Sequence, residues 1–363
     1  MTSFNRDIPH NELPDLPPKA DLETPEILKA AIQANKLLAE LKGFCQTLPN
    51  PELLLNTIVL QESKESSAIE NIVTTQDELY KATLMGEKIK NQSAKEVLQY
   101  REAMYFGLNK LAQHGIITTN LLVGIMQKLR GTTDGIRNRP GTKLFNPITE
   151  QVVYTPPEGE EILREKLRAL EKFINDTEVS KLDPLIKMAL IHYQFEAIHP
   201  FNDGNGRTGR ILNILFLIQQ ELMGLPILYL SKYIIENKAD YYRLLREVTE
   251  FGNWAEWILY VINGVASTSQ STLEKIKNIL QLKQACEKEL KEQLGTVFTR
   301  ELNDLLFSYP YIKISVLEDK GIAKRQTASV YLQKIEKTGW LSAMRIGRDV
   351  YYVNHRLIAL LST

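Results

Sequence analysis

Cysteine is nearly absent from this chain. Cys45 and Cys286 are the only two in 363 residues, too few and too far apart in sequence for a disulfide framework. Neither sign of charge is in excess, because 44 Lys and Arg face 44 Asp and Glu. A formal charge of zero excludes a whole-chain basic field of the kind that draws a protein to nucleic acid or to an anionic membrane. Long apolar runs are missing as well. The most apolar stretch, at 211–218, is far shorter than the roughly 20 residues that span a bilayer. The N-terminus is polar and acidic, with no apolar leader. These absences leave the cytoplasm as the expected location and no membrane as a partner. Internal repeats and low-complexity tracts are lacking too.

What the chain has is size and one concentrated segment. With 44% hydrophobic and 24% charged residues, it is long enough to bury a large core in two or three domains. The segment is His199-Pro200-Phe201-Asn202-Asp203-Gly204-Asn205-Gly206-Arg207-Thr208-Gly209-Arg210. It packs a histidine, a carboxylate, three glycines and two arginines into twelve positions, a mixture that packing alone does not require.

Its flanks say where it sits. Asp183-Pro184 reads as a helix start, Asp as N-cap and Pro at the first helical position. Leu185, Met188, Ala189, Ile191, His192 and Phe195 follow at helical spacing. After the segment, residues 211–218 are apolar nearly all round, so that helix is buried. The twelve residues therefore form a tight loop whose end is a helix N-terminus, where free N–H groups and the dipole favour an anion. Gly204 and Gly206 let the backbone approach it closely. His199 is the candidate general base, since its ordinary pKa lies near neutral. Asp203 is a hard oxygen ligand suited to Mg²⁺, with Mn²⁺ as an alternative. Arg207 and Arg210, three apart, share a helix face and suit phosphates. Phe201 reads as a core anchor, and His192 as a structural histidine rather than a second base.

At every fixed position this loop resembles the HxFx(D/E)GNGRxxR signature of the Fic (Fido) family. The resemblance covers most of residues 10–265. It implies a mainly α fold: a Fic/Fido helical core with a small β-hairpin flap, to which the sequence adds a C-terminal winged-helix module. It implies a protein adenylyltransferase that moves AMP from ATP to a Ser, Thr or Tyr hydroxyl of target proteins and of itself. In that reading Gly204, Asn205, Gly206, Arg207, Thr208, Gly209 and Arg210 bind ATP. Asn237 and Tyr241 lie around the nucleoside, on a helix beginning near Ser231. Two alternatives stay open: transfer of another nucleotide part or removal of AMP, and a DNA-binding regulator with the Fic core as sensor.

A second segment, Ser66-Ser67-Ala68-Ile69-Glu70-Asn71, resembles the (S/T)xxxE(G/N) inhibitory segment of the same family. Ser66 and Glu70 are four apart, on one face of a helical turn, and the resemblance pairs Glu70 with Arg210. Ser67 to Glu70 also fits a plain S-x-x-E capping box at a helix start. Between the two segments, β-leaning runs at 142–155 flank Asn146-Pro147 and read as a hairpin. It resembles the family's flap, which holds a target segment as an added strand.

The expected organisation follows from the punctuation. Residues 1–113 form an N-terminal helical region that carries the inhibitory segment 66–71 and opens on a proline-dotted arm, Leu13 to Pro18. Residues 114–265 form the catalytic core. Ser267 to Thr272 reads as a polar hinge within a 266–295 linker helix. Residues 296–363 are a separate module, with helices at 314–319 and 324–337 and strands at 341–346 and 350–353. Lys324, Arg325, Lys334, Arg345 and Arg348 give it a basic face, which suits DNA, while docking or a homodimer remains compatible.

Overall fold

The computed structural model describes residues 4–46, 48, 52–85, 91–146, 149–176, 181–346 and 349–362. Four N-terminal helices, α1 (Pro25–Gln46), α2 (Glu52–Ile69), α3 (Gln76–Met85) and α4 (Gln92–His114), lead into α5 (Thr119–Arg130). Strands β1 (Leu144–Phe145) and β2 (Val152–Tyr154) pair antiparallel as the expected hairpin. Pro147 and Ile148 of that hairpin lie outside the described residues. Then come α6 (Glu160–Asn175), α7 (Pro184–Ile198), α8 (Asn205–Gln219), α9 (Leu230–Glu236), α10 (Lys238–Phe251) and the long α11 (Trp254–Leu294).

The centre is the α7–α8 pair. Asp183 caps α7 by accepting from the Leu185 amide at 2.8 Å, with Pro184 behind it. Almost every residue of α7 and most of α8 are buried. Such a helix has no polar face to turn outward, so others must surround it, and α4, α5, α6 and α11 do. Trp257 of α11 is fully buried and donates its indole N–H to Ala189 O of α7 at 2.8 Å. The N-terminal arm closes one side: Leu13 is buried, His10 N donates to Thr155 O of the hairpin, and Gln194 of α7 donates to Pro14 O.

The C-terminal residues build α12 (Arg300–Ser308), β3 (Tyr311–Ile312), α13 (Ile314–Asp319), α14 (Arg325–Lys337), β4 (Ser342–Ile346), β5 (Asp349–Val353) and α15 (His355–Ser362). The three strands pair in the order β3-β5-β4. Helix, helix and hairpin thus follow the winged-helix order, with α12, β3 and α15 beyond what the sequence reading included. Gly347 and Arg348, which follow β4 in sequence, lie outside the described residues. This module leans on the N-terminal region: α12 packs against α2, and the Tyr311 ring lies 5.6 Å from that of Tyr80.

Three sequence readings need correction. The polar run 267–272 is not a hinge, since α11 passes through it unbroken and Thr268, Ser269 and Thr272 are buried. The reason is local: Thr268 Oγ1 donates to Gly264 O at 2.6 Å, and a hydroxyl satisfied one turn back can be buried within a helix. The stretch from Ser231 is two helices, because Asn237 ends α9 and starts α10. Ser67 to Glu70 is no capping box, because it closes the C-terminal end of α2 instead of opening a helix.

Candidate active site

The site begins where α7 ends. His199 is the C-cap of that helix, in the left-handed region at φ 49°. Its amide donates to Phe195 O, which turns the chain out of the helix. Phe201 is buried against Phe195 and ties the loop to the core. Replacing such a side chain with Ala costs about 3–5 kcal/mol. Asn205 zips the loop: its Oδ1 accepts from Phe201 N at 2.8 Å and its Nδ2 donates to Phe201 O at 2.7 Å. Gly204 then takes φ 86°, a conformation L side chains rarely adopt, and α8 starts.

Thr208 N makes the first backbone bond of α8, to Gly204 O. The amides of Asn205, Gly206 and Arg207 precede it, and these are the donors a helix start leaves for an anion. The sequence-predicted loop residues therefore divide by role. Gly204 and Gly206 shape the cradle and three backbone amides line it. The side chains of Asn205 and Thr208 are buried. At Gly209 a Cβ would lie 2.5 Å from Glu196 Oε1, so the helix and α7 touch there.

Charge is arranged in two groups. Arg210 Nε donates to Ser66 Oγ at 2.7 Å, and its Nη2 donates to Ser66 O at 2.9 Å and to Glu70 Oε1 at 2.8 Å. The Glu70 carboxylate lies over the cradle itself: a Cβ at Gly206 would be 2.3 Å from its Oε1. Partial desolvation pushes the Glu70 pKa up, but Arg210, then Arg207 and Lys238, outweigh it and hold the group below the ordinary value. In the second group Asp203 pairs with Arg130 at 2.9 Å and Arg207 at 3.8 Å. Glu96 of α4 faces the same two arginines, at 3.9 Å from Arg130 and 3.3 Å from Arg207.

The His199 pKa is lowered to about 4, by burial first and then by the Arg137 guanidinium, against the Glu196 backbone, Glu70 and Asp203. The ring is therefore neutral at neutral pH and free to accept a proton. Nδ1 is buried, which leaves Nε2 as the nitrogen for that task. Arg137, which the sequence reading missed, positions this turn. It is buried, and its Nε donates to His199 O at 2.8 Å and its Nη2 to Ile198 O and Pro157 O. Glu96 and Arg130 were missed too. A lone charged residue in a helix or turn has no periodic signature that marks it.

Two expected nucleoside residues lie differently. The Asn237 side chain donates to Tyr233 O, at the α9–α10 junction bordering the site. Tyr241 is buried: its hydroxyl lies 2.9 Å from His192 Nε2 and its ring packs by Trp257 and Tyr260. In this arrangement it belongs to the aromatic core rather than to a pocket wall, and half-exposed Tyr242 beside it is the ring that reaches solvent. His192 is structural, stacked on Trp257 with its pKa lowered to about 3 by burial.

Among the described residues, no three His, Cys, Asp or Glu side chains gather as a metal cluster. Asp203 still fits Mg²⁺. A half-exposed carboxylate at a phosphate cradle supplies one hard ligand, and phosphates and water supply the others, as at nucleotide sites generally.

Comparison with known proteins agrees with this geometry. Residues 28–109 match the model described as Fic/DOC family N-terminal, residues 116–217 the Fic/DOC family model, and residues 282–357 the model for the protein adenylyltransferase SoFic-like C-terminal domain. The chain belongs to the Fic family. Its relatives include protein adenylyltransferase fic-1 of Caenorhabditis elegans, 31% identical over 33% of this chain and 21% of that one. Protein adenylyltransferase Fic of Drosophila erecta is 34% identical over 43% of this chain and 29% of its own. The chain thus spans less than a third of the length of these two relatives. A Fic family protein from Desulfovibrio desulfuricans G20 shares the fold at 19% identity, with a TM-score of 0.59 over 93% of this chain and 98% of that one. C. elegans Fic-1 follows at 21% identity and 0.55, over 70% of this chain and 75% of its own. Among the described residues no helix is long and apolar enough to cross a membrane.

Proposed function

We propose that this Fic protein transfers AMP from ATP to a Ser, Thr or Tyr hydroxyl of target proteins and of itself, and that Glu70 restrains it. The observation that carries the reading is the junction of α7 and α8: a neutral His199 beside three free amides at a helix start, with two buried arginines behind them. The hydroxyl oxygen attacks the α-phosphorus as the bond from that phosphorus to the pyrophosphate oxygen breaks. His199 Nε2 takes the hydroxyl proton. The amides of the cradle hold the phosphate oxygens, and Arg207 and Arg210 grip the outer phosphates. Asp203 would hold Mg²⁺, which when bound neutralises charge on the phosphates. The β1–β2 hairpin, with Phe145 exposed, offers an edge on which a target segment can add as a strand.

Intact-mass measurement with ATP and Mg²⁺, with the protein alone and with lysate, tests this. The expected product is an added AMP on the protein or a target. A different adduct, or loss of AMP from a pre-labelled target, would favour the other Fic chemistries. His199→Ala should lower transfer about 10²–10⁴-fold while ATP binding persists. Near-normal turnover in that variant removes the proposed base.

A further inference from the structure

The C-terminal module carries a charge the rest of the chain does not. Residues 296–363 hold ten Lys and Arg against six Asp and Glu, so a neutral chain divides into a module of +4 and a remainder of −4. The excess is displayed. Lys324, Arg325 and Lys334 of the α14 segment and Arg345 of β4 are exposed. Among the described residues, none of them has a carboxylate within 4.0 Å, although Arg130, Arg207 and Arg210 in the core all do.

The rest of that helix face has a chemistry of its own. The inward face of α14 is Ala328, Leu332 and Ile335. Outward, Gln326, Thr327 and Val330 are exposed, with Val330 47% accessible. Thr327, Val330 and Lys334 recur at helical spacing and form one stripe. An amide that can bond adenine, a hydroxyl, and a branched methyl pair that can meet a thymine methyl are the groups that read base edges in a major groove. Thirteen residues of helix are about 20 Å long, which fits that groove. Ala343 of β4 donates its amide to Glu336 of α14, which sets the strand that carries Arg345 beside this helix, as a wing stands beside a recognition helix. A protein-docking face would instead show a contiguous apolar patch, and Val330 is the one exposed large hydrophobic residue on this helix among those described.

We infer that the outward face of α14, with β4, is a binding site for duplex DNA. Lys324, Arg325, Lys334 and Arg345 take backbone phosphates, and Gln326, Thr327 and Val330 face the bases. This is independent of AMP transfer, since none of these residues lies in the loop site.

The test uses the full chain and a fluorescent mixed-sequence duplex of about 25 base pairs, followed by anisotropy across a salt series. Four phosphate contacts predict a slope of log K against log salt between about −3 and −4. The triple variant Lys324→Ala, Arg325→Ala, Lys334→Ala should reduce that slope by about 2 to 3 while the melting temperature holds. The triple replacement of the same Lys and Arg by their opposite basic residue should keep it. Gln326→Ala with Thr327→Ala should leave the slope and flatten the preference among sequences selected from a random pool. Absence of salt-sensitive binding by the parent overturns the inference, as does unchanged binding by the alanine triple. Tighter binding to single-stranded RNA than to the duplex overturns it as well. AMP incorporation measured on the same preparations separates this outcome from a failure of the transferase reading.

Discussion

The two arginines of the loop stand three residues apart on one helix, yet the two ends of the pocket treat them differently. Arg207 is held from outside the phosphate cradle, by Glu96 on α4, within a ring of alternating charge that also contains Arg130 and Asp203. Arg210 is held from within it, by Ser66 and by a Glu70 carboxylate lying over Gly206. Glu96 is 19% exposed and sits inside a helix, whereas Glu70 is 35% exposed, follows the last turn of α2 and precedes a left-handed Asn71. In the proposed reading the first carboxylate can stay when phosphate arrives, and the second, lying over Gly206, occupies the position that phosphate needs. On that proposal similar salt bridges on neighbouring arginines have opposite consequences: one prepares a ligand site and the other fills it.

Removing the filled side should produce the largest change. Glu70→Gly frees both Arg210 and the cradle, and a misaligned phosphorus costs on the order of 10²-fold per ~1 Å. AMP incorporation, on the protein and on targets, should rise by about 10²-fold. Arg210→Ala should not imitate it, because it releases Glu70 but deletes a phosphate partner. If Glu70→Gly is merely less stable and no more active, Glu70 is a structural residue and the contrast between the two arginines fails.

Loosening the prepared side should act in the opposite direction and less strongly. Glu96→Gln keeps a hydrogen-bond acceptor but removes the charge that orients Arg207 and Arg130. A charge-assisted bond in a partly exposed setting is worth about 1 kcal/mol, so kcat/KM for ATP should fall about 5-fold in a Glu70→Gly background. An increase would make Glu96 a second brake and erase the distinction.

What could be read from sequence follows the range over which each feature is encoded. The loop was legible because its chemistry is contiguous and its flanking helices carry their own start signal at Asp183-Pro184 and their own apolar pattern. The Glu70–Arg210 pair, 140 residues apart, was reachable only through resemblance, since nothing local marks Glu70 as more than the end of an S-x-x-E tetrad. Arg137 and Glu96 were not legible, because the partners that give them roles are carbonyls and guanidiniums brought in by tertiary structure. The false hinge at 267–272 has the converse cause. Polarity predicts exposure only when the backbone offers no internal acceptor, and a helix offers one.

The smallest effect concerns a third carboxylate, on α2, the helix that ends just before Glu70. Glu62 lies two turns before Glu70, fully buried, and accepts from the Ser231 amide at 3.0 Å and from the Ser231 hydroxyl. It therefore docks α2 onto α9. Burial pushes its pKa up to about 7, against the lowering effects of the Ser231 bonds, Arg210 and Tyr100. A folded value above the unfolded one of about 4.5 means the folded state binds the extra proton. That contribution to stability is complete below pH 4.5 and is lost as pH rises through 7. Glu196, also raised to about 7 by burial, acts in the same window, while His192 and His199, lowered to about 3 and 4, oppose both below pH 6.5. The carboxyl effect should thus emerge uncompensated between pH 6.5 and 8. Glu62→Gln keeps an acceptor for Ser231 and cannot ionise. Relative to the parent, it should gain about 1–3 kcal/mol in unfolding free energy between pH 5 and pH 8, with little change in AMP incorporation. Denaturant titrations at pH 5, 6.5 and 8 measure this. Parallel curves for the two proteins would show that Glu62 is ionised throughout. A large rise in transfer would instead mean that docking of α2, and not occupation of the cradle by Glu70, is what restrains the enzyme.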